Sequence, residues 1–172
     1  MKVMLVSHPP SRKQRPDFPP IGIAYLGAVA RRDGHEVRLV DAGLTGTQDI
    51  VRQAKEFSPA VIGVTCWTID RKEVWHLADA LKEGVPDIPL IMGGPHATVY
   101  PEHIFRRTHA QAVVLGEGEE TLCEYLRALE THQDVRNVAG LALRDAEKGV
   151  FLTPARKIAG EIDSIPLPYY EG

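Results

Sequence analysis

Short β-rich apolar runs alternate five times with stretches of helical period, and that alternation fixes the class of fold. KVMLVS (2–7) precedes PPIGIAYLGAVARRDG (19–34), where Ile21, Ala24, Tyr25 and Ala28 recur at helical spacing and Gly34 stops the helix. EVRLVD (36–41) precedes TQDIVRQAKEF (47–57), a predicted helix with Thr47 as its cap. AVIGVT (60–65) precedes DRKEVWHLADALKEG (70–84), with Asp70 as cap and Val74, Leu77, Ala78 and Leu81 facing inward. IPLIM (88–92) precedes a short helix in YPEHIFRRT (100–108), and AVVLG (112–116) precedes EETLCEYLRALE (119–130), a helix that carries Cys123 and Tyr125. The last three strands are apolar on both faces, as a parallel sheet covered on both sides requires. Five such units joined by short connections predict a doubly wound α/β domain with a flavodoxin-like (Rossmann-like) five-stranded parallel sheet of order 2-1-3-4-5.

After residue 135 the pattern changes. AGLALRD (139–145) and GVFLTPAR (149–156) flank the turn-rich DAEKG, which predicts a β-hairpin. IAGEIDSIPLPYYEG has no helical period and two prolines, Pro166 and Pro168. The expected organisation is an α/β domain over 1–135, a hairpin extension over 136–158 and a linker over 159–172.

Charge and length narrow the function. The 172 residues suffice for one domain with a full core. Net charge is −3, with no basic excess, so nothing points to nucleic acid. No apolar run has membrane length, and the start MKVMLVSHPP reads as a first strand rather than a signal peptide. Cys66 and Cys123 are too far apart for a metal cluster and too few for a disulfide framework, so a cytoplasmic, reducing compartment is expected.

In open α/β sheets ligands bind beyond the carboxyl ends of the strands. The loops there are SHPPSRKQRPDFPPIG (7–22), TCWTID (65–70), GGPHATVYP (93–101) and GEGEET (116–121). The first is long and stiffened by prolines, which marks a functional surface. Gly93 and Gly94 leave bare backbone where a buried strand stops, so backbone N–H groups and a large ligand can approach closely; a turn needing positive φ explains them equally well. Gly116 and Gly118 repeat the device before a helix, but Glu117, Glu119 and Glu120 fit poorly with a bare phosphate.

Familiar cofactor codes are missing. The first turn reads Ser7-His8-Pro9-Pro10 instead of GxGxxG, although Asp41 ends the second strand where a ribose-binding acid would sit. Thr65-Cys66-Trp67 replaces the phosphorylatable aspartate of a receiver domain, and no GxxxxGK[ST] occurs. No HExxH or His/Cys cluster suggests a protein zinc site, and no metal-ligating residue is assigned. His8 and His96 alone among the seven histidines lie on ligand-edge loops. Cys66, at the end of a buried strand beside Trp67, reads first as core packing.

PPIGIAYLGAVARRDGHEVRLVDA, GGPHAT followed by PE, and VVLGEGEETLCEYLRAL, in that order, resemble the N-terminal cobalamin-binding domain of cobalamin-dependent radical SAM enzymes. The resemblance runs from Val3 to Pro168, and IDSIPLPYY resembles the segment that leads into the radical SAM barrel. It implies that cobalamin is bound, with its nucleotide tail beside the sheet and its corrin across the carboxyl edge. The implied cofactor-binding residues are Ser7, His8, Pro9, Pro10, Thr65, Cys66, Trp67, Gly93, Gly94, Pro95, His96, Gly116, Glu117 and Gly118. Gly93 and Gly94 would leave room for the tail, and Thr65 would offer a hydroxyl.

Two departures refine this. Cobalamin domains of the methionine synthase and mutase type carry DxHxxG, whose histidine ligates cobalt; here DFPPIG puts Pro19 in that place, between Asp17 and Gly22. Base-off binding without that histidine follows, with the lower axial site empty or filled by water or another side chain, His8 and His96 being the nearby candidates. The chain also lacks the CxxxCxxC triad of a radical SAM centre. The iron-sulfur cluster and SAM would belong to a separate radical SAM domain, in cis or in trans, and this chain alone would carry no radical chemistry. The expected function is therefore presentation of the cobalt cofactor to that domain, with methyl transfer as the expected reaction. The alternatives are a flavodoxin-like nucleotide- or flavin-binding enzyme and a cofactor-free interaction module.

Overall fold

A computed structural model describes residues 1–11, 18–147, 149–157 and 164–170. The interior of the first loop, with Asp17, and residues 159–163 and 171–172 of the expected linker lie outside the described residues.

The strands are β1 (Lys2–Val6), β2 (Glu36–Val40), β3 (Val61–Thr65), β4 (Leu90–Gly93), β5 (Ala112–Val114), β6 (Leu141–Asp145) and β7 (Gly149–Leu152). The helices are α1 (Ile21–Arg32), α2 (Thr47–Phe57), α3 (Arg71–Gly84), α4 (Pro95–Val99), α5 (Pro101–Arg107) and α6 (Glu119–Glu130). One sheet runs β2-β1-β3-β4-β5-β6-β7. Its first five strands pair in parallel, in the order the sequence predicts. The predicted hairpin forms and extends the same sheet, β6 pairing antiparallel with β5 and β7 with β6.

Each face of the sheet carries its own core. Met4, Val6, Ile62, Val64 and Met92 pack with Ile50, Leu77, Leu81 and Ile104 from α2, α3 and α5. Val3, Leu5, Val61, Ile91 and Val114 pack on the other side with Ile23 of α1 and Leu122, Tyr125 and Leu126 of α6. The period-2 alternation of each strand splits its residues between these layers. Burying a leucine or isoleucine here stabilises the fold by about 1.5–3 kcal/mol each.

Three local features differ from the sequence expectation. Gly46 is the N-cap of α2, and Thr47 is the first helical residue. Asp70 does stand at the N-cap of α3, but its side chain caps nothing. Its carboxylate accepts from the Ser11 amide at 2.8 Å instead, tying the β1–α1 loop to the β3–α3 loop. GGPHATVYP is not all loop: Pro95 starts the five-residue helix α4, its fixed φ suiting a first helical turn.

Arg156 fastens the chain after β7 to α6. Its Nε donates to Thr121 Oγ1 at 2.8 Å and its Nη1 to Glu120 at 2.9 Å, and it also pairs with Glu124. Residues 164–170 lie along α1, with Arg32 Nη1 donating to the Ser164 carbonyl at 3.0 Å and the Tyr169 amide to the Ala24 carbonyl at 3.1 Å. Among the described residues, no helix is long and apolar enough to cross a membrane.

Candidate functional site

A cavity of about 440 Å³ opens at the carboxyl edge of β1, β3, β4 and β5. It descends between the sheet and the pair α1 and α6. Its floor is Leu5, Gly63, Ile91 and Val114, its walls are Ile23 and Leu26 of α1 and Leu122 of α6, and Gly118 closes one end. The lining is mostly apolar, with a few polar groups at the mouth, the usual make-up of a small-molecule site.

Glycines make this space. A Cβ on Gly63 would lie 2.8 Å from Leu5 Cδ2, and one on Gly118 3.0 Å from Leu26 Cδ2. A Cβ on Gly93 would meet only Val114, at 3.7 Å, so it would occupy the cavity rather than the core. Gly94 serves the backbone. Its φ of +90° is a conformation that other residues adopt only with strain, and it brings the chain close against Cys66.

Of the residues singled out in the sequence, Ser7, His8, Thr65, Trp67, Gly93, Gly94, Pro95, Gly116, Glu117 and Gly118 line the cavity together. Pro9, Pro10, Cys66 and His96 do not. Cys66 alternates to the opposite face of the sheet, where it is fully buried among α3 residues. Burial pushes its thiol up to about 12, so it is an unreactive core group.

His96 is buried beneath the loops. Its Nδ1 lies 3.1 Å from Thr68 Oγ1 and its Nε2 3.2 Å from His103 Nδ1. Its amide donates to the Cys66 carbonyl at 3.0 Å. His96 thus clamps the β3–α3 loop to the β4–α4 loop. Desolvation, with help from His103 and Arg71, holds its pKa below the ordinary histidine value.

The mouth is braced by further polar contacts. Ser7 Oγ donates to Asp41 Oδ1 at 3.1 Å and accepts from the Ala42 amide at 2.9 Å, joining the ends of β1 and β2. The Gly116 amide donates to Thr98 Oγ1 at 3.1 Å, joining the β5–α6 loop to α4. His8 Nε2 lies 3.3 Å from Asp70 Oδ2, and its ring tilts against Trp67 with centroids 5.5 Å apart. Burial lowers the His8 pKa, and Asp70 and Asp41 partly offset that.

Sequence reading missed part of the lining. Gly63 is a lone glycine inside an apolar strand, a signal of close approach that could have been used. Phe18 and Ile21 sit at the mouth 82% and 56% exposed, and only the structure shows that Ile21 begins α1 pointing away from the core.

A family model described as the B12 binding domain matches residues 12–126. The chain belongs to this B12-binding family. It is 33% identical to an uncharacterized methyltransferase from Pyrococcus horikoshii, over 99% of this chain and 38% of that one. It is 30% identical to the anaerobic magnesium-protoporphyrin IX monomethyl ester cyclase from Synechocystis, over 90% of this chain and 33% of that one. This B12-binding chain therefore spans about a third of the length of these relatives.

Two solved structures share the fold. The cobalamin-dependent S-adenosylmethionine radical enzyme OxsB, with aqua-cobalamin and S-adenosylmethionine bound, superposes with a TM-score of 0.86 at 19% identity, over 97% of this chain and 24% of that one. The radical S-adenosylmethionine methyltransferase TsrM from Kitasatospora setae, with cobalamin and a [4Fe-4S] cluster bound, gives 0.78 at 21% identity, over 98% and 31%. The B12-binding domain accordingly has the flavodoxin-like α/β architecture predicted for it.

The residues present fit such a cofactor. The cavity is apolar, floored with glycine and open at the sheet edge, and a side chain at Gly93 would fill it.

Proposed function

We propose that this B12-binding domain holds cobalamin in the glycine-floored cavity and presents its cobalt to a radical SAM domain, in cis or in trans, for methyl transfer. The observation that carries the reading is the cavity itself, bare at Gly63, Gly93 and Gly118 and opening at the carboxyl edge of the sheet. The nucleotide tail would lie over those glycines between the sheet and α1 and α6. Thr65 would offer a hydroxyl, Ser7 would brace the mouth through Asp41 and the Ala42 amide, and Phe18, Ile21 and Trp67 would form an apolar rim for the corrin. Pro95, Gly116 and Glu117 would border the corrin's side chains, while Gly94, Cys66 and His96 set the shape of the loops.

When bound, cobalt supplies a carrier for a one-carbon group that no side chain can provide. The chain's own part is to bind, orient and shield. The names of the relatives and neighbours, several of them methyltransferases, support this assignment. The radical SAM centre, with its iron-sulfur cluster and SAM, is assigned to a domain other than this one, and residues 159–172 are proposed as the linker towards it. The unpaired Cys66 and Cys123 support a reducing, cytoplasmic setting, and the net charge of −3 argues against nucleic acid as partner.

Fluorescence tests the binding step. Trp67 is 48% exposed at the cavity mouth. Titration with hydroxocobalamin should quench its emission saturably, and Trp67→Phe should remove most of the saturable change. Only linear, non-saturating quenching would overturn the reading.

A further inference from the structure

The helices on the side of the sheet away from the cavity carry charge that the fold does not use. Arg71 is the first residue of α3, and Arg106 and Arg107 close α5. Two of them contact one indole ring: the guanidinium carbons of Arg71 and Arg107 lie 5.9 and 4.8 Å from the centre of the Trp75 ring. His103 meets the same ring edge-on, with centroids 5.0 Å apart. Along α5, His103, Arg106 and Arg107 stand at i, i+3 and i+4, so they share one side of the helix.

These guanidiniums lack counter-charges. Among the described residues, no carboxylate forms an ion pair with Arg71, Arg106 or Arg107, whereas Arg52, Arg127 and Arg156 each have one. Glu73, on the first turn of α3, faces His76 at 3.6 Å instead. Arg71 Nη1 donates to the Thr68 carbonyl at 2.6 Å, which leaves the rest of its fork open. The end of α5 does not need the other two. Arg144 Nη2 already donates to the Phe105 and Thr108 carbonyls, at 2.8 Å each. Burial first, and then the charges of Arg106, Arg71 and Arg107, hold the His103 pKa below the ordinary histidine value, so the three charges converge on one spot.

The neighbouring side chains suit a protein partner. Val99 and Tyr100 are 63% and 51% exposed, and the Tyr100 ring leans on His96 with centroids 5.3 Å apart. Arginine, tryptophan and tyrosine are the residue types that carry most of the binding energy at protein interfaces. A guanidinium fork matches a carboxylate with two parallel hydrogen bonds. The three forks are spread over two helices around an indole ring rather than gathered at one point. That spacing suits carboxylates strung along a chain better than a single phosphate. None of these residues lines the cavity.

We infer that Arg71, Arg106 and Arg107, grouped around Trp75 and His103, form a docking surface for an acidic segment of a partner protein, on the side of the sheet away from the cavity.

The test needs no cofactor. Octaglutamate is titrated into the ¹⁵N-labelled chain at low salt and followed by two-dimensional NMR, with octaglutamine as control. Saturable shifts are expected at Arg71, His103, Arg106, Arg107 and the Trp75 indole N–H, and none from octaglutamine. Raising the salt to about 0.5 M should release the peptide. The double variant Arg106→Gln/Arg107→Gln changes two exposed side chains and should keep its Tm, while binding weakens at least about tenfold. No saturable shift, shifts centred elsewhere, an equal response to octaglutamine, or equal affinity in the double variant would overturn the inference. Tripolyphosphate moving the same signals at lower concentration than the peptide would overturn it in favour of a phosphate site. Self-association of the chain that the double variant loses would overturn it in favour of a second copy.

Discussion

A Cβ placed on Gly94 would lie 3.0 Å from the carbonyl oxygen of Cys66 and 3.1 Å from its amide nitrogen. That carbonyl already accepts the His96 amide at 3.0 Å. The two loops that form the cavity mouth therefore touch backbone to backbone, and neither has room to yield.

Gly94→Ala should strain the backbone at φ +90° and push the loops apart. The strain alone costs about 1–3 kcal/mol, which lowers Tm by about 2–10 °C in a chain of this size. Thermal unfolding followed by circular dichroism checks this; an unchanged Tm would contradict the contact.

Gly93→Leu should behave in the opposite way. Its Cβ meets only Val114, at an ordinary 3.7 Å, so Tm should hold to within about 2 °C, while cobalamin affinity falls at least about tenfold as the side chain fills the cavity. Parallel melting and binding titrations separate the two effects.

Acid should destabilise the fold before the carboxylates titrate. Burial, the largest cause in each case, lowers the pKa values of His8, His35, His96, His103 and His109 from the ordinary 6.5. The unfolded chain then binds protons first, so this contribution is fully present above 6.5 and is lost as pH falls through the lowered values. Tm should drop as pH falls below about 6.5, and His96→Gln should make the drop shallower. A flat profile would refute the neutral buried histidines.

Arg156→Ala should loosen the hairpin end of the sheet. It removes charge-assisted hydrogen bonds to Glu120 and Glu124 and the bond to Thr121. The expected loss is about 1.5–3 kcal/mol. Hydrogen exchange should speed up in Gly149–Leu152 more than in Val61–Thr65, and equal acceleration would contradict a local role.

Much of this was legible in the sequence, for physical reasons. Val61–Thr65 and Leu90–Gly93 had to be central strands, because only a doubly covered sheet buries both faces of such runs. Gly93 pointed to the ligand edge as one of two readings, and the structure divides them: Gly94 takes the positive φ, and Gly93 leaves the cavity open. Less accessible were features set by tertiary contact. Asp70 looks like a cap in sequence, yet its carboxylate serves Ser11 and His8 across the sheet edge. His96 looks like a loop histidine, and only packing shows it as a clamp between Thr68 and His103. Ile21 fits the helical period but points to the cavity mouth, since periodicity gives the face of a helix and not what lies over its first turn.

The most direct measurement is retention of the cofactor. The purified chain is incubated with hydroxocobalamin, passed through a desalting column, and the protein fraction is scanned for absorption. The account predicts near-equimolar cobalamin travelling with the protein, and almost none with Gly93→Leu folded to the same degree. A protein fraction free of cobalamin, or one in which Gly93→Leu retains as much as the unsubstituted chain, would contradict it.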